Sequence, residues 1–441
     1  MLNRIVSPLV RLFVRFMPDA LVVAILLWLL TMLLAVVLTG TSPLQAIEFW
    51  GDSFWNLLTF TNQITLTLLF GYAFANTAPV RALLLRIAGL ARTPRTAYAL
   101  ACVVTGVLAL FSWGLSLIAA GIMARAVGEA CRRRGVRVHY PLLVASAFSG
   151  FVIWHQGLSA SIGLTIATPG HFLEDQIGLI PTSQTLFTPW NVVVALFVLV
   201  TLPILMSALH PADDEIEEIE LDEDSGQPPA STRPAKTPAQ WLERSTWLAL
   251  TVVAAGGVYL WIHYGARGRG LELNILNFTF LVVGLLLAGS ALRYAEIIVD
   301  GGRVAAPFLL QYPFYAGIAG LMASSGLAEM VVSLFVSVAN AQTLPLFGLL
   351  SGGLLNLFIP SGGGQWAVQG PIMMAAAQEL GADLPRVAMS VAFGDQWTNL
   401  IQPLALLPVL AIARIQVSKI MGYTFVALFW TGAVFAVATL V

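Results

Sequence analysis

The sequence predicts an all-α polytopic membrane protein built as two inverted-topology repeats, each with a re-entrant hairpin and a broken transmembrane helix. Three observations carry that expectation. The 441 residues are 58% hydrophobic and only 10% charged, with a mean hydropathy of +0.83, whereas soluble domains carry about 25% charged residues. Long apolar stretches recur along the chain, and four of them are interrupted by glycine, proline or polar residues. The arginines gather on one side of the membrane only if an interrupted stretch doubles back.

A spanning helix needs about 20 apolar residues. The uninterrupted candidates are Ala20–Thr39, Leu57–Ala78, Trp190–Leu209, Ser245–Tyr264, Asn274–Ala291, Ala305–Ala323 and Ile420–Val441. They follow a basic, amphipathic lead-in, "MLNRIVSPLVRLFVRFMPDA", which lacks a small-x-small cleavage site and reads as a cytoplasmic interfacial segment. The first interrupted stretch, "ALACVVTGVLALFSWGLSLIAAGIMARAV", is broken at Ser112–Gly114. The second, "PLLVASAFSGFVIWHQGLSASIGLTIATPG", is broken around Trp154–Ser161. The third holds "FIPSGGGQWAVQGP", whose three glycines between prolines oppose a continuous helix. The fourth, "VAMSVAFGDQWTNLIQPLALLPVLAIARI", is broken around Gly394–Pro403.

Between the second and third interrupted stretches the composition changes. The run "DDEIEEIELDEDSGQPPASTRPAKTP" is acidic and then Pro-rich, as in a disordered linker. It divides the chain into an N-terminal transmembrane half (1–209), a cytoplasmic linker (210–244) and a C-terminal half (245–441). The halves share landmarks. "LALF" ends at Phe111 and "LNLF" at Phe358, each just before a break. Pro141 is followed by Ser146, Gly150 and Trp154, and Pro385 by Ser390, Gly394 and Trp397, with the serine and glycine at matching offsets. Order and spacing favour an internal repeat over chance similarity.

Arg4, Arg11 and Arg15 place the N-terminus in the cytoplasm. A single crossing after "RALLLRIAGLARTPR" would put Arg132–Arg134 and Arg137 outside. A hairpin turning at Ser112–Gly114 returns them. The second hairpin, with "PSGGGQ" at its tip, then enters from outside, so the halves are antiparallel. Arg267 and Arg269 are the exception, since they fall outside. Non-helical backbone survives at membrane depth only where protein or a water-filled cavity satisfies it, and broken helices in two inverted halves point to a transporter's central site.

Candidate site residues cluster at the breaks. Ser361, Gly362, Gly363, Gly364 and Gln365 offer a hydroxyl, an amide and backbone N–H groups that suit a carboxylate, with a tight turn as the alternative. Asp395 is the one carboxylate in the broken segments, and intramembrane carboxylates are functional candidates. With Thr398, Asn399 and Gln402 it could bind Na⁺, or alone it could carry H⁺; a helix cap is the alternative. In the first half His155, Gln156, Ser159, Ser161 and Thr165 are polar at depth, and Ser112 and Ser116 lie at the first tip. These could equally be structural hydrogen-bonding groups. Trp113, Trp154, Trp366 and Trp397 each sit at a break and are expected to wall a cavity rather than anchor at the interface.

The formal charge of −1 and the lack of a basic stripe give no sign of nucleic acid. Cys102 and Cys131 have no metal-ligand spacing, and no cofactor is expected. No nucleophile elbow, zincin, Walker A or dinucleotide fingerprint occurs in a usable context, and no lysine follows the glycines of "PSGGGQ". Transport would therefore be driven by a gradient. A channel or a membrane enzyme, the latter pairing Ser361 with His155, remains the alternative class.

"MPDALVVAILLWLLT", "WGDSFWNLL", "QYPFYAGI", "PSGGGQWAVQGP", "GADLPRVAMSVAFGDQWTN" and "QPLALLPVLAIA" together resemble the bacterial short-chain fatty acid transporter family of the ion-transporter superfamily. The strings run from the N-terminus to the last helices. The resemblance implies an inner-membrane homodimer with elevator-like motion. It also implies short monocarboxylate substrates such as butyrate or acetoacetate, moved with H⁺ or Na⁺; another small carboxylate, such as a dicarboxylate, is the runner-up. The chain departs from the family pattern at the proposed site. Gln365 stands where His is common, Asp395 where Glu is common, and His155-Gln156 where a Gly-rich turn is common.

Overall fold

The computed structural model describes residues 18, 20–220 and 237–441. Arg4, Arg11, Arg15 and the rest of 1–17 lie outside the described residues, as do 19 and, in the linker, 221–236. All regular structure among the described residues is helical, and nine stretches there are long and apolar enough to cross a bilayer.

The seven uninterrupted candidates form helices over Ala20–Thr39, Leu58–Asn76, Pro189–Ala208, Thr246–Trp261, Leu273–Ala288, Ala291–Ser325 and Val417–Leu440. Ala291–Ser325 is the main departure. It starts well before its apolar core, at Ser290, whose hydroxyl accepts from Arg293 N–H and caps the helix. Its 35 residues span about 52 Å at 1.5 Å per residue, against a hydrocarbon core of about 30 Å. Three helices of more than ten residues were not among the expected elements: Pro43–Ser53, Ala78–Ala88 and Leu327–Val338. The first is started by a capping box between Ser42 and Gln45. It meets Leu58–Asn76 at 54°.

The breaks are narrower than the sequence suggested. Pro94–Phe111 and Trp113–Arg133 form a helical hairpin separated by Ser112 alone, an extended residue whose hydroxyl accepts from Leu115 N–H. Both arms are long enough to cross a bilayer. In the other hairpin Leu344–Asn356 is shorter, and residues 357–361 join it to Gly362–Leu380. Ser361 is extended like Ser112, and its hydroxyl accepts from Gly364 N–H. The three glycines do not form the turn. They are the first turn of the helix, none has positive φ, and the turn is made before them.

The second interrupted stretch runs as Tyr140–Ser149, a tight 3₁₀ segment over Gly150–Gln156 and a short helix over Ser161–Thr165. In the fourth, Leu384–Thr398 is helical through Gly394 and Asp395. The interruption is confined to Asn399–Gln402, before Pro403–Ala413.

Two groups of elements pack side by side. The long helix Ala291–Ser325 packs on Ala20–Thr39, Pro43–Ser53 and Leu58–Asn76. The hairpins pack with the broken segments, Pro189–Ala208 and Val417–Leu440. Within the second group, glycine permits backbone contact. A β-carbon at Gly150 would lie 2.2 Å from Cys102 O, and one at Gly394 would lie 2.3 Å from Leu349 O. In each half a broken segment thus lies directly on the first arm of a hairpin, the close approach that small residues allow between membrane helices.

The acidic part of the linker, expected to be disordered, is docked where it is described. Tyr140 N–H donates to Glu217 O at 2.7 Å, and Glu217 N–H donates to His139 Nδ1 at 3.0 Å. Glu218 pairs with Arg137 at 3.3 Å, Glu217 contacts Lys419, and Ile219 is buried. Charge complementarity to the arginines that end the first hairpin, plus one apolar anchor, orders a segment whose composition alone argues for disorder.

Candidate functional site

A cavity of about 350 Å³ lies between the two groups of helices. One wall comes from Ile64 and Leu68 and from a face of the long helix carrying Val304, Phe308 and Gln311. The opposite wall comes from the breaks: Trp113, Trp154, Ser161, Ser361, Asp395 and Asn399. The lining is mainly apolar and aromatic. Trp113 faces Trp154 at 5.8 Å and Phe308 at 6.3 Å between ring centroids, and Phe151 stacks on Trp154 at 5.8 Å.

Asp395 reaches this cavity because the helix continues through Gly394, and Asn399 follows one turn later on the same face. Asp395 is fully buried, and its Oδ1 lies 3.5 Å from Nε2 of the equally buried His155. Neither carboxylate oxygen and neither imidazole nitrogen has a hydrogen-bond partner. Burial of a polar group costs free energy unless it is hydrogen-bonded, and burial of a charge costs much more. A proton shared between the two groups, or a polar ligand bonded to them, would lower that cost.

His155 is fixed through its backbone. Its N–H donates to Gln396 Oε1 at 2.9 Å, and its ring lies 3.6 Å from that of Trp154. Gly362 lets the ring fit, since a β-carbon there would be 2.3 Å from His155 Nε2. Gly363 and Gly364 fit against Tyr312 and Tyr315 of the long helix, with β-carbon distances of 2.6 and 2.7 Å. The Tyr312 hydroxyl and Ser361 Oγ share a hydrogen bond of 2.7 Å. At the start of the helix Gly364 N–H is held by Ser361 Oγ, and Gly362, whose N–H has no intrahelical partner, lines the cavity.

Ser361, Gly362, Asp395, Asn399, Ser161, Trp113 and Trp154 are thus brought together on the cavity, with His155 and Gly363 directly behind. Others expected beside them lie elsewhere. Trp366 is fully buried in a separate core with Ile162, Met373 and Val391. Trp397 packs on Gly353 and Gly432 and donates Nε1–H to Leu428 O at 2.7 Å. Neither tryptophan lines the cavity. Gln365 ties the second hairpin together, donating to Gly352 O at 3.0 Å and Gln369 Oε1 at 2.9 Å. Gln156 donates to Asn191 O at 3.1 Å, and Ser159 Oγ accepts from Trp113 N–H at 2.9 Å. Ser116 and Thr165 donate to helix carbonyls of Thr105 and Ser161. Ser112 caps its helix, and Gly364 packs on Tyr315.

Of the oxygens expected to form a cation shell with Asp395, those of Thr398 and Asn399 are engaged in other bonds, and Gln402 bonds through its amide nitrogen. Thr398 Oγ1 donates to Gly353 O at 2.9 Å and accepts from Asn356 Nδ2 at 2.9 Å. Asn399 Oδ1 accepts from Trp154 Nε1–H at 2.9 Å, and Gln402 Nε2 lies 3.4 Å from Leu357 O. Asn356, Gln396, Tyr312 and Arg303 are site or supporting residues that the sequence reading did not single out. Arg303, Pro307 and Gln311 recur at helical spacing beside Tyr312, and that periodicity was the available signal.

The description of a short chain fatty acid transporter family matches residues 1–441. A protein of Escherichia coli (strain K12), provisionally named a short-chain fatty acid transporter, is 38% identical over 99% of both chains. A protein of Haemophilus influenzae (strain ATCC 51907 / DSM 11121 / KW20 / Rd) with the same provisional name is 34% identical, again over 99% of both. Among solved structures, the YdaH transporter of Alcanivorax borkumensis, noted for an unusual topology, superposes with a TM-score of 0.61. It shares 15% identity over 95% of this chain and 98% of its own, so that likeness speaks to the fold. With the family matched from end to end and two relatives aligned over nearly their whole lengths, this chain belongs to the short-chain fatty acid transporter family.

Proposed function

We propose that the protein is a secondary transporter that moves a short monocarboxylate together with H⁺, with Asp395 as the proton carrier. The observation that carries this reading is the buried Asp395–His155 pair, without hydrogen bonds, on the wall of a small apolar cavity. A substrate carboxylate entering beside an ionised Asp395 would place like charges together at low dielectric, and a proton on one of them removes the conflict. The engagement of the Thr398 and Asn399 side-chain oxygens in other bonds favours H⁺ over Na⁺.

The substrate carboxylate is placed at the N-terminal end of Gly362–Leu380, where Ser361 and Gly362 meet the cavity. The alkyl chain lies against Trp113, Trp154, Phe151 and Phe308. Each buried CH₂ gains about 0.8 kcal/mol, so preference for short acids must come from the size of the space. A volume of about 350 Å³ is near the lower end of ligand pockets, roughly 300–1,000 Å³.

The two halves act as inverted repeats, with the acidic linker and the N-terminus in the cytoplasm, in a homodimer of the inner membrane. The matched packing of Gly150 on Cys102 and Gly394 on Leu349 supports the repeat. The position of the cavity between two helix groups supports an elevator-like motion of one against the other.

The test is uptake of labelled butyrate into proteoliposomes under separate H⁺ and Na⁺ gradients. Asp395→Asn should abolish accumulation driven by a proton gradient while butyrate exchange persists, and Asp395→Glu should retain accumulation. If Asp395→Asn accumulates butyrate normally under a proton gradient, Asp395 is not the carrier. Accumulation driven only by Na⁺, or a dicarboxylate outcompeting butyrate, would replace the ion or the substrate in this proposal.

A further inference from the structure

We propose that Arg303 is a capture site for the substrate carboxylate at the open end of the cavity, and that it confers the preference for an ionised acid over a neutral analogue. The inference rests on the transport reading above. Arg303 is the only Lys or Arg among the cavity's lining residues. It is exposed, as are Pro307 and Leu407, whereas Asp395, Asn399, Trp154 and Gly362 at the other end are buried. The cavity therefore has one rim, and its cation stands on it.

Arg303 makes no hydrogen bond or ion pair among the described residues. The acidic side chains earlier on its helix leave it free: Glu296 pairs with Arg293 at 3.3 Å, and Asp300 forms no ion pair among the described residues. Its neighbours in the cavity lining, Val304, Pro307 and Phe308, are apolar.

Its place on the helix is also informative. The 22 residues from Val304 to Ser325 cover about 33 Å, enough for the hydrocarbon core. Arg303 thus sits at a boundary, where a charge is tolerated, and not at the midplane, where it would be costly. That boundary is at the arginine-rich end of the molecule. Gly301 packs on Tyr72 near the end of Leu58–Asn76, and the next helix, Ala78–Ala88, ends beside Arg134.

A path inward follows. Arg303, Pro307 and Gln311 share a face with Val304 and Phe308, and all line the cavity. Gln311 lies about 12 Å along the helix from Arg303. The next residue, Tyr312, holds Ser361 at the N-terminal end of the second hairpin's long arm. A carboxylate can be held first by the planar guanidinium fork and then released along an apolar wall to the N–H of Gly362. Arg303 acts at entry and exit, because it stands at the exposed part of the lining while Gly362 and Asp395 are buried. The competing role for Arg303 is snorkelling of its charge to lipid headgroups, in which case its charge would not affect substrate affinity.

The experiment is butyrate counterflow in proteoliposomes of the full chain, with butyrate binding in detergent followed by tryptophan fluorescence. Arg303→Gln should raise the half-saturating butyrate concentration roughly tenfold, as expected for loss of one charge-assisted pair. The maximal rate should stay within a factor of about three, because the inner site is intact. Arg303→Lys should recover most of the affinity. Added salt should weaken butyrate binding to the wild type and leave Arg303→Gln unaffected, a response that packing alone would not give. Arg303→Met reads the same charge loss should the glutamine variant fail to accumulate. A wild type that binds and exchanges butyrate, with neutral variants of unchanged affinity and salt response, overturns this inference alone. A wild type with no saturable butyrate binding or flux overturns the transport reading, and this inference with it.

Discussion

Gly362, Gly363 and Gly364 were legible in the sequence as a break in an apolar stretch, but not for the packing that requires them. A glycine run signals either a turn or a close approach, and sequence does not distinguish them. Here each lacks a side chain because His155, Tyr312 or Tyr315 occupies the space. Those partners are distant in sequence, so the requirement is invisible without the fold. The tryptophans divide in the same way. All four stand at breaks, yet only Trp113 and Trp154 reach the cavity. Trp113→Ala should therefore admit longer acids such as hexanoate, measured by competition against labelled butyrate. Trp366→Ala should leave the chain-length profile unchanged and destabilise the protein by about 3–5 kcal/mol, seen as a lower melting temperature. A shifted length profile in Trp366→Ala with none in Trp113→Ala would reverse the assignment of the cavity wall.

At the scale of elements, apolar length placed the spanning helices to within a few residues, because burial in a bilayer depends mainly on side-chain polarity. Helix ends at charged or polar positions were harder to place. The long helix begins at Ala291 because a Ser290 cap and a helix-competent charged run extend it beyond the apolar core. The docked acidic segment was also illegible, because composition reports the absence of a core and not the presence of a complementary surface. That segment should respond to pH. His139 Nδ1 accepts from Glu217 N–H, so the docked form requires neutral imidazole. The groups around it are Glu217 and Glu215, which favour the charged form, and His210 and Lys419, which oppose it. Tyr98 bonds both His139 N–H and His210 Nδ1. Burial, the largest influence, holds the His139 pKa below its ordinary value. The released segment then binds more protons than the docked one, so docking weakens as pH falls from about 7 through the ordinary histidine value near 6.5. Hydrogen exchange at residues 213–219 should accelerate over that range. His139→Asn, which keeps an acceptor that does not titrate, should flatten the response. Equal pH dependence in wild type and variant would remove His139 as the cause.

For the whole molecule, the fold class and the family were readable because motifs run through the entire chain and the chain matches its relatives over nearly its whole length. The two-group arrangement was not readable. It depends on which helices pack together, and a uniformly apolar helix in a membrane carries little pattern to report that. Orientation is the property most directly open to measurement. Single cysteines at Arg132 or Arg133 should be labelled by an impermeant maleimide only from the cytoplasmic side. The background should be low, since Cys102 and Cys131 are buried. Labelling from the outside would invert the first hairpin and the topology built on it.

The contact between the groups has a mechanical consequence. On one side, the rings of Tyr312 and Tyr315 stand on the long helix. On the other, bare backbone at Gly363 and Gly364 lies against them. Apart from the Tyr312–Ser361 hydrogen bond, this joint sets aromatic side chains on bare backbone with no interlocking side chain from the glycines, so once that bond yields it resists separation more than sliding. In the transporter reading this seam is a bearing: the second hairpin can glide along the long helix without first lifting away from it. A single methyl group on either glycine would act there as a detent, altering the ease of travel before it altered what the cavity binds.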